Sequence, residues 1–445
     1  MKLNYRNTFL AGLAFMSIIA FWQLYDNVVP VLLTQTFHLR EDITGFIMSL
    51  DNILALFLLP LFGKISDKTH TRIGKRMPYI LGGTIITALL LNLLPMIDNG
   101  FYEGRTSVFF SLASFIIVLG MILLAMSVYR SPAVALMPDI TPKPLRARAN
   151  AVINLMGAAG GIIYLAFTAV MFPKSKTEGV EHVDYRLLFV FMSIFMVVCI
   201  FAMFLRLNEP ELSHQNELIE KQHPEWDLTK ESQSGGSAVL PRGVKRSMIF
   251  LLISIALWYM GYNAVTTWFT SYVKVLYGEG LGGASTCFLI ANAGAIVSYI
   301  PIGYMAARAG RKKMIYFGTL LLTLSFALSW YLTVTSSSVT VLMYITFAFV
   351  GVAWASISVN SLPMAVEMCK GSDAGKYTGL YYTASMAGQV ITPTVAGFLL
   401  KNVSYRILFV YATVFSLLSF ITMTQVKHGD VKAAQLKGLE NFEDI

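Results

Sequence analysis

Three ionisable residues stand inside long apolar runs, where a charge has no water to stabilise it: Asp26, Asp51 and Arg130. A charge at the centre of a membrane-spanning helix costs about 2.5–3.5 kcal/mol on insertion scales, so such residues mark candidate ion or substrate pathways. A carboxylate buried near a guanidinium exists either paired or protonated, and a change of surroundings moves it between the two. That is the chemistry of proton coupling. A static acid–base pair joining two helices is the structural alternative, and hydrogen bonding to a ligand is a third. Trp22 and Asp26 are four residues apart and share a helix face, as do Trp258 and Tyr262. An aromatic face beside polar groups suits a sugar, which has an apolar C–H face and a rim of hydroxyls. Asn27, Asn263, Asn360 and Gln389 also lie in apolar runs, where they can read hydroxyls or bond a neighbouring helix. For Trp354 and Tyr382 the expected role is packing.

Other chemistries find little support. GSDAGKY (371–377) mimics a phosphate loop but lacks the G-x-x-x-x-G-K-[ST] spacing. The six His show no paired metal-ligand spacing within a run. Neither an enzymatic activity nor a cofactor is expected. Cys199, Cys287 and Cys369 are far apart and in or beside apolar runs, so they read as buried packing residues. The chain is 56% hydrophobic and 13% charged, with a mean hydropathy of +0.62. A soluble protein carries about 25% charged residues, so the lipid bilayer is the expected partner. The net charge of +9 comes from short basic clusters between apolar runs, which fits membrane topology and not nucleic acid.

The elements that must position these residues follow from the bilayer. A span needs about 20 mostly apolar residues. Twelve candidates occur, numbered here in order: 8–36, 43–63, 78–97, 106–138, 148–171, 185–206, 246–273, 284–306, 314–334, 339–366, 377–400 and 404–425. The first is too long for the apolar core of a signal peptide. Helices are expected throughout, because each segment must pair its own backbone groups. The reading is an all-α membrane protein of twelve transmembrane helices. Its units are a first half (1–206), a central loop (207–245) expected to be a plain linker, a second half (246–426) and a tail (427–445). A surface helix around Trp226 is the alternative for the loop. The halves look duplicated: IIAFWQLYDNVVPVLLT (18–34) aligns without gaps on SIALWYMGYNAVTTWFT (254–270), with Trp22/Trp258, Asn27/Asn263 and Thr34/Thr270 in register. Two pseudo-symmetric six-helix halves place a substrate between them at mid-membrane.

Between the second and third spans lies GKISDKTHTRIGKR, Gly63 to Arg76, with five Lys/Arg in fourteen residues. Its side of the membrane holds 25 of the 34 Lys+Arg and the opposite side eight, with Arg130 inside a span. That asymmetry makes its side, and both termini, cytoplasmic. The pattern G-x-x-x-D-x-x-x-x-R-x-G-K-R resembles the helix 2–3 loop motif of the major facilitator superfamily. The longer string PLFGKISDKTHTRIGKRMPYI (60–80) resembles its sucrose-transporter-like branch, related to the glycoside–pentoside–hexuronide:cation symporters. YRSPAVALMPD (129–139), RARANAVINLMGAAGG (146–161) and GKYTGLYY (375–382) resemble the same branch, so the likeness covers nearly the whole chain. It implies the major facilitator fold, with spans 1, 4, 7 and 10 lining the cavity. It also implies a conformational role for Gly63, Asp67, Arg72, Gly74, Arg76 and Asp139, with Asp67 facing the start of span 11. Two departures stand out. Plant sucrose transporters have an Arg two residues after the Pro of the span 4 motif; here Val134 stands there, and Arg130 lies two before Pro132. Sodium-using melibiose-type relatives carry an Asp pair in span 2 where this chain has Ala55 and Leu59, with Asp51 a turn further away. The second departure favours protons over sodium.

These readings converge on a sugar:proton symporter, taking a glycoside of disaccharide size by alternating access, a monomer in the cell membrane. Asp26, Asp51 and Arg130 would couple the cation. Trp22, Asp26, Asn27, Trp258, Tyr262, Asn263, Asn360 and Gln389 would bind the sugar. A proton-coupled exporter of amphiphilic small molecules, a sodium-coupled sugar symporter and a non-transporting sugar sensor remain open rivals at this point. The topology is directly testable. A single Cys at Thr71 should react only with reagents that reach the cytoplasm, and one at Glu178 only with reagents applied outside. Reversed labelling would overturn the charge argument.

Overall fold

A computed structural model describes residues 3–177, 180–223, 242–368 and 374–428. Trp226, residues 371–373 of the phosphate-loop mimic, Cys369 and most of the tail therefore lie outside the described residues. Among the described residues twelve helices are long and apolar enough to cross a membrane: Tyr5–Thr36, Glu41–Asp67, Met77–Tyr102, Val108–Ile140, Arg148–Met171, Arg186–Arg206, Arg242–Tyr277, Leu281–Ala306, Arg311–Thr335, Val341–Ala365, Tyr377–Asn402 and Ile407–Thr424. They are spans 1 to 12 below. No strand occurs among the described residues. Several helices overrun the apolar core. Span 2 continues past Gly63 to Asp67, so the basic motif begins as helix, and span 7 starts four residues before the apolar run.

Packing repeats with a shift of six. Spans 1·5, 2·4, 3·4, 1·6 and 3·6 pack together, and so do 7·11, 8·10, 9·10, 7·12 and 9·12. The two six-helix groups meet through spans 2·11, 5·8 and 1·7. The first two of these contacts are themselves repeat counterparts.

The central segment is not a plain linker. Glu209–Gln222 forms a helix, capped where the Asn208 side chain accepts from the Glu211 N–H, with Pro210 in its first turn. Glu209 and Glu211 sit at the positive end of the helix dipole and Lys221 at the negative end. These local signals carry a helix that hydropathy does not reveal.

The halves join at the end opposite the basic loop, called here the far end. Small residues bring the backbones close. A Cβ on Gly45 would strike the carbonyl oxygen of Pro393, and one on Gly397 that of Glu41. In the matching 5·8 seam, Gly282 meets the Phe172 carbonyl and Gly280 the Thr177 side chain in the same way. Hydrogen bonds decorate the seam: Ser49 to Thr394 at 3.3 Å, Tyr405 to Glu41 at 3.1 Å and, deeper, Thr270 to Asn27 at 2.9 Å. Small-residue contact of this kind is how helices associate where no hydrophobic drive exists between them. A side chain at Gly45 should therefore wedge the seam open. Gly45→Val should cost far-end closure about 1–3 kcal/mol and make a Cys at Asn263 reactive from the far side. Unchanged reactivity would show that this seam is not the closure.

Candidate functional site

Mid-membrane, the acids come together, but not as expected. Asp26 is half-buried and, among the described residues, neither accepts a hydrogen bond nor forms an ion pair. Its electrostatic neighbours are Asp51 on span 2, Tyr25 on its own helix, Tyr164 on span 5 and Tyr262 on span 7 of the other half. Arg130 answers to Asp51 and not to Asp26. Its guanidinium lies 5.5 Å from the ring centre of Trp22, a cation–π distance. Asp51 accepts a hydrogen bond from Asn52 Nδ2 at 2.8 Å. The expected Asp26–Arg130 pair is thus replaced by a chain, Asp26–Asp51–Arg130–Trp22. Two acids face one permanent cation, so with both ionised the trio carries a net negative charge that a proton would cancel.

Across from Asp26, Tyr262 stacks on Trp354, ring centres 3.9 Å apart and planes at 15°, and Tyr259 meets the same Trp354 edge-on at 5.3 Å. Trp354, expected as packing, belongs to this aromatic group. Trp22 Nε1, Tyr164 Oη and Asn263 Oδ1, on spans 1, 5 and 7, are among the buried polar atoms that have no hydrogen-bond partner among the described residues. Such groups are expensive unless something bonds them.

Several expected ligand contacts prove to be structural. Trp258 is fully buried in the second half's core. The lining aromatic is its neighbour Tyr259, which meets Trp354 together with Tyr262, although Trp258 is also within one turn of Tyr262. Asn27 is fully engaged, donating to the Gln23 carbonyl at 2.7 Å and accepting from Thr270, and so ties the halves together. Asn360 is buried and bonds the Ser356 carbonyl one turn back. Gln389 is half-buried and makes a long bond of 3.3 Å to the Ser385 carbonyl. Sequence reasoning missed Tyr25, Tyr164, Tyr259 and Asn52. The signal for Tyr259 was its three-residue spacing from Tyr262.

The basic motif assembles around Arg76, whose side chain is 5% exposed. It bonds Asp139 at 2.8 Å, the Gly63 carbonyl at 3.3 Å, Ser66 and Asp67. Burial opposes its charge, but the bonds to Asp139 and Asp67 outweigh it and raise its pKa. Lys75 adds an ion pair to Asp139 at 3.2 Å. Arg72 is exposed and has no partner among the described residues, so it stands outside this hub. The residues that Asp67 was expected to face are in part outside the described residues. Sequence reasoning also missed Glu209. Its carboxylate accepts the backbone N–H groups of Lys75, Arg76 and Met77, each at 2.8 Å. These are the orphan donors at the positive end of span 3. Gly74, at φ +114°, lets the carboxylate approach, since a Cβ there would collide with it. Burial pushes the Glu209 carboxyl above its ordinary pKa, and the three backbone donors oppose that rise. Asn216 to the Asp139 carbonyl at 3.1 Å and Arg146 to Glu220 at 2.9 Å extend the clasp along the linker helix.

Two six-helix groups around a mid-membrane cluster of acids and aromatics define a polytopic transporter. Residues 10–298 and 278–437 match the sequence model of the Major Facilitator Superfamily. The chain belongs to that superfamily. No curated protein sequence matches it. Among solved structures it is similar to the inward-open xylose transporter XylE from E. coli (15% identity, 99% of each chain, TM-score 0.67). It is also similar to a D-xylose-proton symporter (14% identity, 96% of this chain and 99% of that one, TM-score 0.69). A third likeness is to the nucleoside transporter NupG (13% identity, 95% and 100%, TM-score 0.67). These likenesses establish a shared fold.

The clasp predicts a contrast. Glu209→Ala strands three buried N–H groups, a loss of about 1–3 kcal/mol, and should lower the unfolding temperature of the purified protein. Arg72→Ala should leave it unchanged. Equal effects from the two variants would remove Glu209 from the hub.

Proposed function

We propose that this transporter is a sugar:proton symporter that takes a glycoside, of disaccharide size, by alternating access. The observation that carries the reading is Asp26: an acid with no hydrogen-bond or ion-pair partner among the described residues, beside a second acid that shares one guanidinium, and facing an aromatic group on the opposite half. The Tyr262–Trp354 stack offers a flat apolar surface for a sugar's C–H face. Trp22 Nε1, Tyr164 Oη and Asn263 Oδ1 offer two donors and an acceptor for its hydroxyls. When a proton joins the Asp26–Asp51 pair, the single charge of Arg130 balances what remains, and the halves can rock with a neutral core. On the other side the proton leaves, and the site resets. The basic end is cytoplasmic on this reading, both termini with it, and the chain works as a monomer in the cell membrane. The sequence likeness to the sucrose-transporter-like branch and the absence of its relatives' sodium-type Asp pair support sugar and proton. The Arg76 hub, outside the sugar site, would act on the cycle at the cytoplasmic end.

An exporter of amphiphiles would need a wide apolar cavity, which the polar atoms around Asp26 argue against. The decisive experiment is uptake against counterflow in proteoliposomes, with a panel of labelled sugars and separate pH and sodium gradients. Asp26→Asn keeps the shape but cannot titrate. It should abolish accumulation driven by an alkaline interior and retain exchange down a sugar gradient. Accumulation that survives in Asp26→Asn would move coupling to Asp51, and accumulation driven by sodium alone would replace the proton.

A further inference from the structure

A second charged cluster lies at the far end, away from Asp26. Asp98 on span 3 is fully buried, and neither of its oxygens has a hydrogen bond of ordinary geometry, although the Thr36 hydroxyl stands close enough to polarise it. Asp98 Oδ2 lies 3.5 Å from Nε2 of His182, in the loop between spans 5 and 6. The imidazole is stacked on Tyr102, ring centres 4.2 Å apart. Asn99 fixes its tautomer. The Asn99 amide donates to Asp184 Oδ1 at 2.8 Å, which turns its carbonyl oxygen towards His182 Nε2, also at 2.8 Å. On this network the neutral ring carries its proton on Nε2, and Nδ1 is the open base.

Lys274, at the far end of span 7, belongs to the other half and is the one cation with an electrostatic interaction resolved to both Asp98 and His182 among the described residues. The other titratable neighbours of His182 are Glu103 and Asp184; those of Asp98 are Asp184 and Tyr185. Burial pushes Asp184 up, but the bonds from Arg186 and Asn99 outweigh it and hold its carboxyl at about 2. It therefore stays ionised at any working pH. Burial also holds the His182 imidazole below its ordinary value in the closed arrangement.

We propose that Asp98, His182 and Lys274 form a second proton-binding site, which gates the far end: Lys274 is the counter-charge of Asp98 while the halves are closed, and a proton taken up by His182 replaces it when they part. A buried carboxylate that loses its cation is costly. The imidazolium 3.5 Å away supplies the missing charge without leaving its own half. The proton comes from hydronium in the far-side water: an O–H bond breaks there, leaving water, an N–H bond forms at Nδ1, and no bond of the protein is broken. When Lys274 returns, the proton leaves to the side it came from, so it adds nothing to transport stoichiometry. The open state binds a proton that the closed state does not, and acid at the far end therefore draws the equilibrium towards opening. This site needs neither a sugar nor the coupling acids.

The test uses the full chain in lipid nanodiscs without sugar. Spin labels at Thr106 and Ser337, exposed on the far-end loops of the two halves, read the open fraction by distance measurement. The open:closed ratio should rise as pH falls, by at most about tenfold per pH unit for one proton, centred near the ordinary His range. His182→Gln keeps a donor for Asn99 but cannot titrate, and should abolish the rise. Lys274→Gln should raise the open fraction already at alkaline pH. Asp26→Asn should keep the acid response even where gradient-driven accumulation is lost, which separates this site from the coupling cluster. A pH-independent wild type, a full acid response in His182→Gln, or a closed Lys274→Gln at alkaline pH would each overturn the proposal.

Discussion

A charge in hydrocarbon has no solvent, and the rest of this molecule is arranged around that fact. Away from helix ends and prolines, the backbone groups of the twelve spans are bonded inside their own helices, since the hydrocarbon offers them nothing else. Every ionisable side chain at depth must find its counter-charge among a few neighbours. At mid-membrane the arithmetic does not close, because Asp26 and Asp51 share one Arg130. At the basic end it closes fully. Arg76, almost entirely out of water, is surrounded by Asp67, Asp139, the Ser66 hydroxyl and the Gly63 carbonyl, and the Glu209 carboxylate satisfies the end of span 3. The contrast is physical: a saturated cluster holds a shape, while an unsaturated one can bind.

The fold was legible because the bilayer imposes it. Twelve apolar runs became twelve helices, and the buried Cys199 and Cys287 lie in the packing as expected. What hydropathy cannot see is a polar helix. Glu209–Gln222 is too hydrophilic to register, and its evidence was local: Asn208 as cap, Pro210 in the first turn, acids before Lys221. Helix ends were misread for a related reason. Hydropathy marks where the apolar core stops, whereas the helix of span 2 continues through polar Lys64 and Ser66 to Asp67.

The site was legible in part. The cost of a buried charge pointed to Asp26, Asp51 and Arg130, and the structure brings them into one cluster. Which charge faces which could not be read from spacing, because it depends on how spans 1, 2 and 4 rotate against one another. The internal repeat misled at Trp258. It aligns on Trp22, but Trp22 leaves its indole N–H unbonded near Arg130, while Trp258 is sealed in the core. Duplicated sequence preserved the helix and not the role. Asn27 and Asn360 show the same limit, since a polar residue in a span is as readily spent on another helix, or on its own, as on a ligand.

The glycine seams at the far end bear on speed. Gly45 on Pro393 and Gly282 on Phe172 hold the halves by close backbone contact, supplemented by a handful of hydrogen bonds. Dispersion of this kind falls away within a fraction of an ångström, so the seam resists the first small separation and little thereafter. A gate of that character behaves like a magnetic catch: firm when shut, with no long-range pull to overcome once released. The waiting time between openings, more than the tightness of substrate binding, is what such a catch sets, and with two matched catches the slower to let go governs the pace.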